Sequence, residues 1–371
     1  MSRSLSLVFP HQLFTSHPAL EKSRPVALVE DTLFFGDPHA SPGRFHRQKI
    51  VLHRASMKAY CAHLAGLGYE VTYVDYDREK TIDRLLREWH REEPIAEIVT
   101  AAPTDFTLEK RLRRFSESES VTLTVKETPM FLTPRDWADD HFNSRKRPFM
   151  AKFYEEQRKR MGILVDAQGN PEGGQWSFDE DNRKSMPKRG LDVPSDPVAP
   201  RRKEVDEALT YVAKNFPDYP GNAASFAYPV TRKDARDWLR DFFDRRFDQF
   251  GPYEDALSDS ERVLFHSILT PMLNIGLLTP EEVVGEALLF ADENGVRINS
   301  LEGFIRQVIG WREFMHLMYV RHGVEMRNSN HFAHDRPIPE SFWTAETGID
   351  PIDLVIRRVL ETGYAHHIER L

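Results

Sequence analysis

Short β-rich runs alternate with helical patterns through the first third of the chain. Between Ile82 and Trp89 apolar residues recur at i, i+3, i+4 and i+7, and this pattern ends before Pro94. The segment from Arg44 to Leu64 is a second helical pattern. Such alternation is typical of a parallel, doubly wound sheet, whose ligand crevice lies at the carboxyl ends of the strands. We predict strands at Ser4 to Phe9, Val26 to Val29, Val71 to Val74, Glu97 to Ala101 and Val121 to Val125.

The organisation of the chain changes after this region. A polar stretch rich in Pro and Gly follows, in which only Lys152 to Met161 has a helical pattern. Helical signals then dominate, including a capped start at Thr279-Pro280-Glu281-Glu282. We predict an α/β domain at residues 1–133, a linker at 134–202 and an all-helical domain at 203–371. The pattern from Asp353 to Leu371 has no recognised stop signal, so we expect the helical domain to be incomplete at its C-terminus.

Composition excludes several classes of site. Cys61 is the only cysteine, so the chain can form neither an internal disulfide nor a cysteine-ligated cluster, and we expect it to be a buried helix residue. The formal net charge of -8 gives no overall attraction to nucleic acid, so DNA contacts would need local basic patches. No run of 18 apolar residues and no secretory signal is present, and we expect a cytoplasmic monomer without a membrane span.

The segment LEGFIRQVIGWREFMHLM, residues 301–318, is the most informative single motif. On a helix it aligns five large or polar side chains on one face: Phe304, Gln307, Trp311, Phe314 and Met318. Periodicity alone indicates an amphipathic helix packed on a core. A second motif, SILTPMLNIGLL, begins a helix at Thr270-Pro271, where free N–H groups favour an anion, although such a start is also ordinary capping.

Three further motifs carry polar groups. FPHQL places Gln12 just after the first strand, and Glu30 ends the second strand. Residues 145–160 carry seven Lys or Arg against two Glu, and Arg183, Lys184, Lys188 and Arg189 add to this charge; such runs bind phosphates or are simply solvated. In Tyr364-Ala365-His366-His367, adjacent helical residues point about 100° apart, so we predict no metal site.

Together these motifs resemble the cryptochrome and photolyase superfamily, in particular its bacterial branch of iron-sulfur (6-4) photolyase-like proteins. The resemblance rests on QVIGWREF, SILTP, the linker sequence from Phe153 to Lys184, AHHIERL and FPHQL. It implies a helical FAD-binding domain behind an antenna-type domain. The flavin contacts that it implies are Gln307, Trp311 and Arg312 along one helix, with Tyr253, Ser267, Leu269, Thr270 and Asn274.

The resemblance also assigns roles around the cofactor. It implies His367 as a proton donor to the lesion, His366 as its neighbour and Trp343 as an electron relay to the flavin. It implies Gln12 and Glu30 as contacts of an antenna chromophore, 6,7-dimethyl-8-ribityllumazine in this branch. The expected DNA contacts are Arg183 on the lesion side, with Lys184, Lys159 and Arg160.

The implied function is light-driven repair of UV dipyrimidine lesions, chiefly (6-4) photoproducts, by electron transfer from reduced FAD. Two alternatives stay open: a cryptochrome-type blue-light photoreceptor, and a truncated, inactive homologue that binds flavin or nucleotide. The branch ligates an iron-sulfur cluster with four cysteines, and the first is expected where this chain has Ile349, Asp350 and Pro351. With Cys61 far from that position, we predict no cluster.

Overall fold

A computed structural model of the chain describes residues 3–37, 44–144, 147–187 and 190–370. Four of the basic positions counted above, Arg145, Lys146, Lys188 and Arg189, lie outside the described residues.

The first part of the chain folds around a five-stranded parallel sheet with the strand order β3-β2-β1-β4-β5. In the central register, Leu7 lies opposite Ala27 on one side and Thr100 on the other. All five predicted strands are confirmed, and their bounds differ from the prediction by two residues at most. The strands are β1 (Arg3–Val8), β2 (Val26–Val29), β3 (Val71–Val74), β4 (Ile95–Ala101) and β5 (Thr122–Lys126).

Helices cover both faces of this sheet, as the alternation predicted. On one face, Leu7 and Ile98 pack with Leu86 and Phe115 in a buried cluster. On the other face, the alternate side chains of the strands pack against the helical part of the chain and belong to the same buried core. The helices of this part are α1 (Thr32–Phe35), α2 (Arg47–Gly66), α3 (Ile82–Glu92) and α4 (Phe106–Glu119).

The rest of the chain is helical and packs on a phenylalanine-rich core that includes Phe242, Phe247 and Phe304. One helix of the linker, α5, was not predicted. Within the described ranges, no helix combines the length and the apolar composition needed to cross a membrane. The helices are α5 (Arg135–Asn143), α6 (Met150–Met161), α7 (Lys203–Asn215), α8 (Arg232–Arg245), α9 (Phe247–Phe250), α10 (Thr270–Ile275), α11 (Pro280–Asn294), α12 (Ile298–Ile305), α13 (Glu313–Asn328), α14 (Ser341–Thr344) and α15 (Asp350–Thr362).

A π-helical turn, Arg306–Arg312, joins α12 to α13. Such turns are rare and are found mostly at functional sites. The backbone of Gly310 lies against the ring of Tyr154, because a Cβ added there would lie 3.1 Å from that ring. The turn therefore carries Gln307 and Trp311 in a helix of non-standard pitch.

The two parts of the chain are joined where Glu313 meets the end of the α/β region. The Glu313 carboxylate is fully buried and accepts hydrogen bonds from the N–H groups of Leu132, at 3.0 Å, and Thr133, at 2.9 Å. At a second junction, Leu13 N–H donates to the carbonyl of Ile275 at 2.9 Å. The helix that carries Trp311 is thus fixed against the α/β part of the molecule.

The end of the chain differs from the prediction. Helix α15 ends at Thr362 because Gly363, with φ of 68°, caps it and donates its N–H to the carbonyl of Val359. The prediction that Asp353 to Leu371 contains no helix stop signal was therefore wrong, since Gly363 is that signal. A short 3₁₀ turn, Ile368–Arg370, follows.

Replacing Thr279 with Ala is expected to destabilise the protein by about 0.5–2 kcal/mol. The Thr279 hydroxyl accepts the N–H of Glu282 while the Glu282 carboxylate accepts the N–H of Thr279 at 3.0 Å, so the start of α11 has a complete capping box. Urea denaturation measures the difference. The control is Thr210→Ala, because the exposed Thr210 hydroxyl only bonds the carbonyl of Asp206 within α7, and an equal loss there would contradict the capping argument.

Candidate functional site

A cavity of about 1190 Å³ lies where α10, the π-helical turn and the last residues of the chain meet. Its volume slightly exceeds the range of about 300–1,000 Å³ that is usual for small-molecule and cofactor sites. Seven of the eight predicted flavin contacts line it: Ser267, Leu269, Thr270, Asn274, Gln307, Trp311 and Arg312. The cavity is therefore large enough for a dinucleotide cofactor together with part of a second ligand.

Arg312 forms the charged wall of this cavity. It donates to the side-chain oxygen of Asn274 at 2.7 Å, and its guanidinium lies 5.0 Å from the centre of the Phe131 ring. Burial lowers its pKa. Its Nε is buried and has no hydrogen-bond partner among the described residues. A bound anion or carbonyl oxygen would satisfy this donor.

The segment before α10 forms another wall. Ile268 has a φ of 50°, an unusual and strained conformation for a β-branched residue. The Ser267 carbonyl accepts the indole N–H of Trp238 at 2.9 Å, which holds the segment in place. Helix α10 begins at Thr270, and no described side chain caps its first N–H groups. The strained segment thus directs Ser267 and Thr270 to the cavity.

Glu254 is a cavity residue that the sequence analysis missed. Its carboxylate is almost fully buried and accepts hydrogen bonds from Gln307 at 2.7 Å and Asn182 at 3.0 Å. Burial raises its pKa to about 7, although the positive charge of Arg306 opposes this shift. A single Glu in a loop carries no sequence signal, so only the fold reveals that it holds Gln307 in position.

Three histidines meet at the end of the cavity formed by the last residues of the chain. His366 stacks on His266 with ring centroids 4.5 Å apart, and the His367 ring lies 5.6 Å from that of His266. The prediction treated His366 and His367 as neighbours on a helix without further partners; this was wrong, because both follow the end of α15 and His266 joins them.

The electrostatic surroundings of these rings differ. Burial, helped by the charge of His367, lowers the pKa of His366 to about 4. Burial also lowers the pKa of His367, but Asp255, whose carboxylate oxygen lies 3.4 Å from the His367 Nε2, opposes the shift. The His367 side chain is 45% exposed, whereas that of His366 is 1% exposed. His367 is therefore the ring that a second ligand can reach.

Two of the predicted flavin-binding and catalytic residues do not line the cavity. Tyr253 packs on Phe265, with ring centroids 5.4 Å apart. Trp343 lies on α14 and is 67% exposed. The structure does not place either side chain in the cavity wall, and their roles as flavin contact and electron relay stay predictions.

The basic residues predicted to bind DNA lie at the surface. Arg183 is ion-paired with Asp179 at 2.5 Å, and Asp179 itself lines the cavity. Lys184 is exposed in the same segment. Lys159 pairs with Glu155 at 2.8 Å. Arg160 donates to the carbonyl of Leu132 at 3.0 Å and lies over the Trp137 ring. Arg183 is the predicted contact that adjoins the cavity.

The two predicted antenna contacts, Gln12 and Glu30, form hydrogen bonds within the protein. Gln12 is fully buried, accepts the N–H of Phe9 and donates to the carbonyl of Ala101 at 2.9 Å. The buried Glu30 carboxylate accepts from Arg54 at 2.9 Å, from the Tyr73 hydroxyl and from the N–H of Tyr76. Both side chains are thus engaged in hydrogen bonds within the protein, and their role as antenna contacts stays a prediction.

Comparison with known proteins identifies relatives of this chain. The family model "Deoxyribodipyrimidine photo-lyase-related protein" matches residues 6–228. The chain is 32% identical over 376 residues to a protein of Agrobacterium fabrum named (6-4) photolyase, covering 99% of this chain and 72% of that protein.

Solved structures show the same fold. A bacterial class III photolyase from Agrobacterium tumefaciens superposes with a TM-score of 0.60 at 18% identity, covering all of this chain and 71% of that one. A cryptochrome from Synechocystis superposes with a TM-score of 0.64 at 14% identity, covering all of this chain and 73% of that one. The chain therefore belongs to the deoxyribodipyrimidine photo-lyase-related family of the cryptochrome and photolyase superfamily.

Proposed function

We propose that this protein is a light-driven, FAD-dependent photolyase that repairs UV dipyrimidine lesions in DNA, chiefly (6-4) photoproducts. The observation that carries the proposal is one cavity lined by two kinds of group. Gln307, Trp311 and Arg312 form a wall suited to a flavin, and His367, whose side chain is 45% exposed, lines the same cavity. The 32% identity to a protein named (6-4) photolyase favours this lesion over others.

The residues of the cavity fit FAD. Arg312 has an unsatisfied donor, Asn274 and Gln307 offer amides, and Trp311 offers an indole face that is 40% exposed. Flat ligands favour such aromatic surfaces. When bound and reduced, FAD would supply the light-excited electron for repair. Glu254 keeps Gln307 oriented toward the cofactor.

The histidine end fits a flipped nucleotide pair. A lesion leaves the duplex at a cost of a few kcal/mol, which is lowest for damaged pairs, and would enter the open end of the cavity. His367 can then donate a proton to the lesion, while Asp255 holds the ring. The negative charge of bound DNA raises the pKa of His367 and so opposes the effect of burial.

The proposal also assigns functions to the domains, to the basic surface and to the antenna contacts. Residues 1–133 form the antenna-type domain, 134–202 the linker and 203–371 the FAD-binding domain. Arg183, beside the cavity, would contact DNA phosphates near the lesion. Gln12 and Glu30 stay the predicted contacts of an antenna chromophore. A further candidate is His53 on α2, whose ring meets that of Phe34 edge-on and has two buried, unpaired ring nitrogens within the described residues.

Arg312→Gln is expected to lower flavin affinity by about tenfold or more, because a hydrogen bond to a charged group contributes about 1.5–3 kcal/mol and about 1.4 kcal/mol corresponds to tenfold. Titration of the flavin-free protein with FAD, followed by flavin fluorescence, measures the change. The control is Arg321→Gln on α13, whose guanidinium pairs with the surface residue Asp139 at 2.5 Å. If both variants bound FAD with equal affinity, Arg312 would not be a flavin contact.

Repair is tested with the purified protein, oligonucleotides that contain one (6-4) photoproduct or one cyclobutane dimer, and blue light. Restored pyrimidines in the (6-4) oligonucleotide, separated by chromatography, support the proposal. Protein that binds no flavin would refute it. Flavin-bound protein that repairs neither lesion would instead indicate the photoreceptor alternative.

A further inference from the structure

The cluster of His266, His366 and His367 has the composition of a metal site. One ring nitrogen from each residue lies within 4.8 Å of the others. The three come from two separate parts of the chain, the loop before α10 and the residues after α15. In proteins, three histidines with an open fourth position are a common set of ligands for Zn²⁺.

Several nitrogens in the cluster are available to a metal ion. His266 Nε2 and both ring nitrogens of His366 are buried without a hydrogen-bond partner among the described residues. Unpaired buried polar groups cost free energy, so native proteins usually satisfy them with water, a ligand or an ion. In this cluster two of the three histidines, His266 and His366, carry such atoms.

Carboxylate groups lie close to the rings of His366 and His367. His367 Nε2 lies 3.4 Å from Asp255, and His366 Nε2 lies 3.7 Å from Glu369, whose second oxygen pairs with Arg358. Metal-bound histidines almost always have such an outer partner, which fixes the ring and increases its basicity. The two carboxylates also balance the positive charge that an ion would add.

We propose that His266, His366 and His367 bind a divalent transition-metal ion, Zn²⁺ in particular, with the fourth coordination position open to the cavity. Tetrahedral Zn²⁺ with Zn–N bonds of about 2.0–2.1 Å needs nitrogens about 3.3 Å apart. The rings must therefore approach one another by about 1.5 Å at most, and the stacked rings of His266 and His366 must also turn so that their nitrogens point to one ion. Imidazole ligands suit Zn²⁺, Cu²⁺ and Ni²⁺ but not Mg²⁺ or Ca²⁺.

The ion would act as an inhibitor of repair. It would occupy the imidazole of His367, which the proposed repair reaction needs as a proton donor, and it would place its open coordination position where the lesion enters. This consequence rests on the proposed function, but the metal site itself does not.

Calorimetric titration of the flavin-free full chain with ZnCl₂ tests the site directly. The background protein carries His331→Ala and His334→Ala, because both rings are exposed and flank Phe332, and such a pair binds Zn²⁺ adventitiously. In this background we expect one Zn²⁺ per chain. His266→Gln should lower the affinity by about 100-fold or more, since loss of even an outer partner costs about 10–100-fold. Mg²⁺ should not bind to the cluster.

His316→Gln is the matched control, because this histidine lines the same cavity but stacks on Phe131 away from the cluster. The His316→Gln protein should bind Zn²⁺ with the same affinity as the background protein. Thermal unfolding with and without Zn²⁺ distinguishes loss of the metal site from a folding defect. Zn²⁺ should raise the melting temperature of the background and of His316→Gln but not of His266→Gln. Undiminished binding by His266→Gln, or no binding by the background, overturns the proposal whether or not the protein repairs DNA.

Discussion

Replacing His367 with Asn is expected to lower the rate of (6-4) repair by about 10²–10⁴-fold, the usual contribution of a positioned acid. Flavin content should stay at the level of the unchanged protein, because His367 contacts Asp255 and His266 and none of the predicted flavin contacts. Asn keeps a polar side chain of similar reach but cannot transfer a proton. Single-turnover repair after one light pulse, with EDTA present to remove metal ions, measures the effect.

The same substitution at His322 is the control. That ring is on the surface of α13, where it pairs with Glu325 at 3.4 Å, and its replacement should leave repair unchanged. Repair by His367→Asn within a factor of about three of the unchanged rate would exclude His367 as the proton donor, since general acid catalysis supplies much more than that.

Arg54→Met is expected to destabilise the fold by about 3–5 kcal/mol, the usual cost of removing one partner of a buried ion pair. Arg54 bonds the buried Glu30 at 2.9 Å, and its guanidinium also bonds Asp75 and Glu207 and lies 3.6 Å from the Tyr211 ring centre. Without it, Glu30 would be a buried carboxylate with no cation beside it. Urea denaturation at pH 8 measures the loss.

The destabilisation should depend on pH. Burial already raises the pKa of Glu30 above its ordinary value of 4.5, and Arg54 opposes that shift. In Arg54→Met the folded-state pKa rises further, so ionised Glu30 costs more above its unfolded pKa, and this cost disappears as protonation becomes complete at low pH. The difference between the two proteins should therefore be smaller at pH 5 than at pH 8. Lys58→Met, which removes a half-buried partner of Asp75 and a cation over the Tyr73 ring, should cost much less than Arg54→Met, because each of these contacts contributes about 1 kcal/mol or less.

The sheet could be predicted because its signals are local. β2 and β3 were predicted with their observed bounds, since each is a short apolar or β-branched run between turn residues. Helix α5 was missed: its sequence, RDWADDHFN, has few apolar residues, and Ala138 and Phe142 are buried in a cluster with Phe153 and Leu317 from other helices. Tertiary packing, rather than periodicity, stabilises that helix.

The site was predictable where one short motif supplies several side chains. Ser267 to Asn274 and Gln307 to Arg312 are such motifs, and both line the cavity. The contact between His266 and His366 could not be predicted, because it joins residues 100 positions apart through packing that the sequence does not reveal. The end of α15, by contrast, could have been predicted from the sequence, because Gly363 is a common helix stop signal.

The π-helical turn makes the cavity wall sensitive to the number of residues it contains. Each residue of a regular α-helix advances the side chains by about 100°, and a π-helical turn spreads an extra residue over about the same arc. Deleting one residue between Arg306 and Arg312 would therefore restore regular pitch and leave Glu313 against the N–H groups of Leu132 and Thr133. The side chains that change direction are those within the turn, Gln307 and Trp311 among them, so a single-codon deletion would alter the cavity wall and keep its junction with the sheet domain.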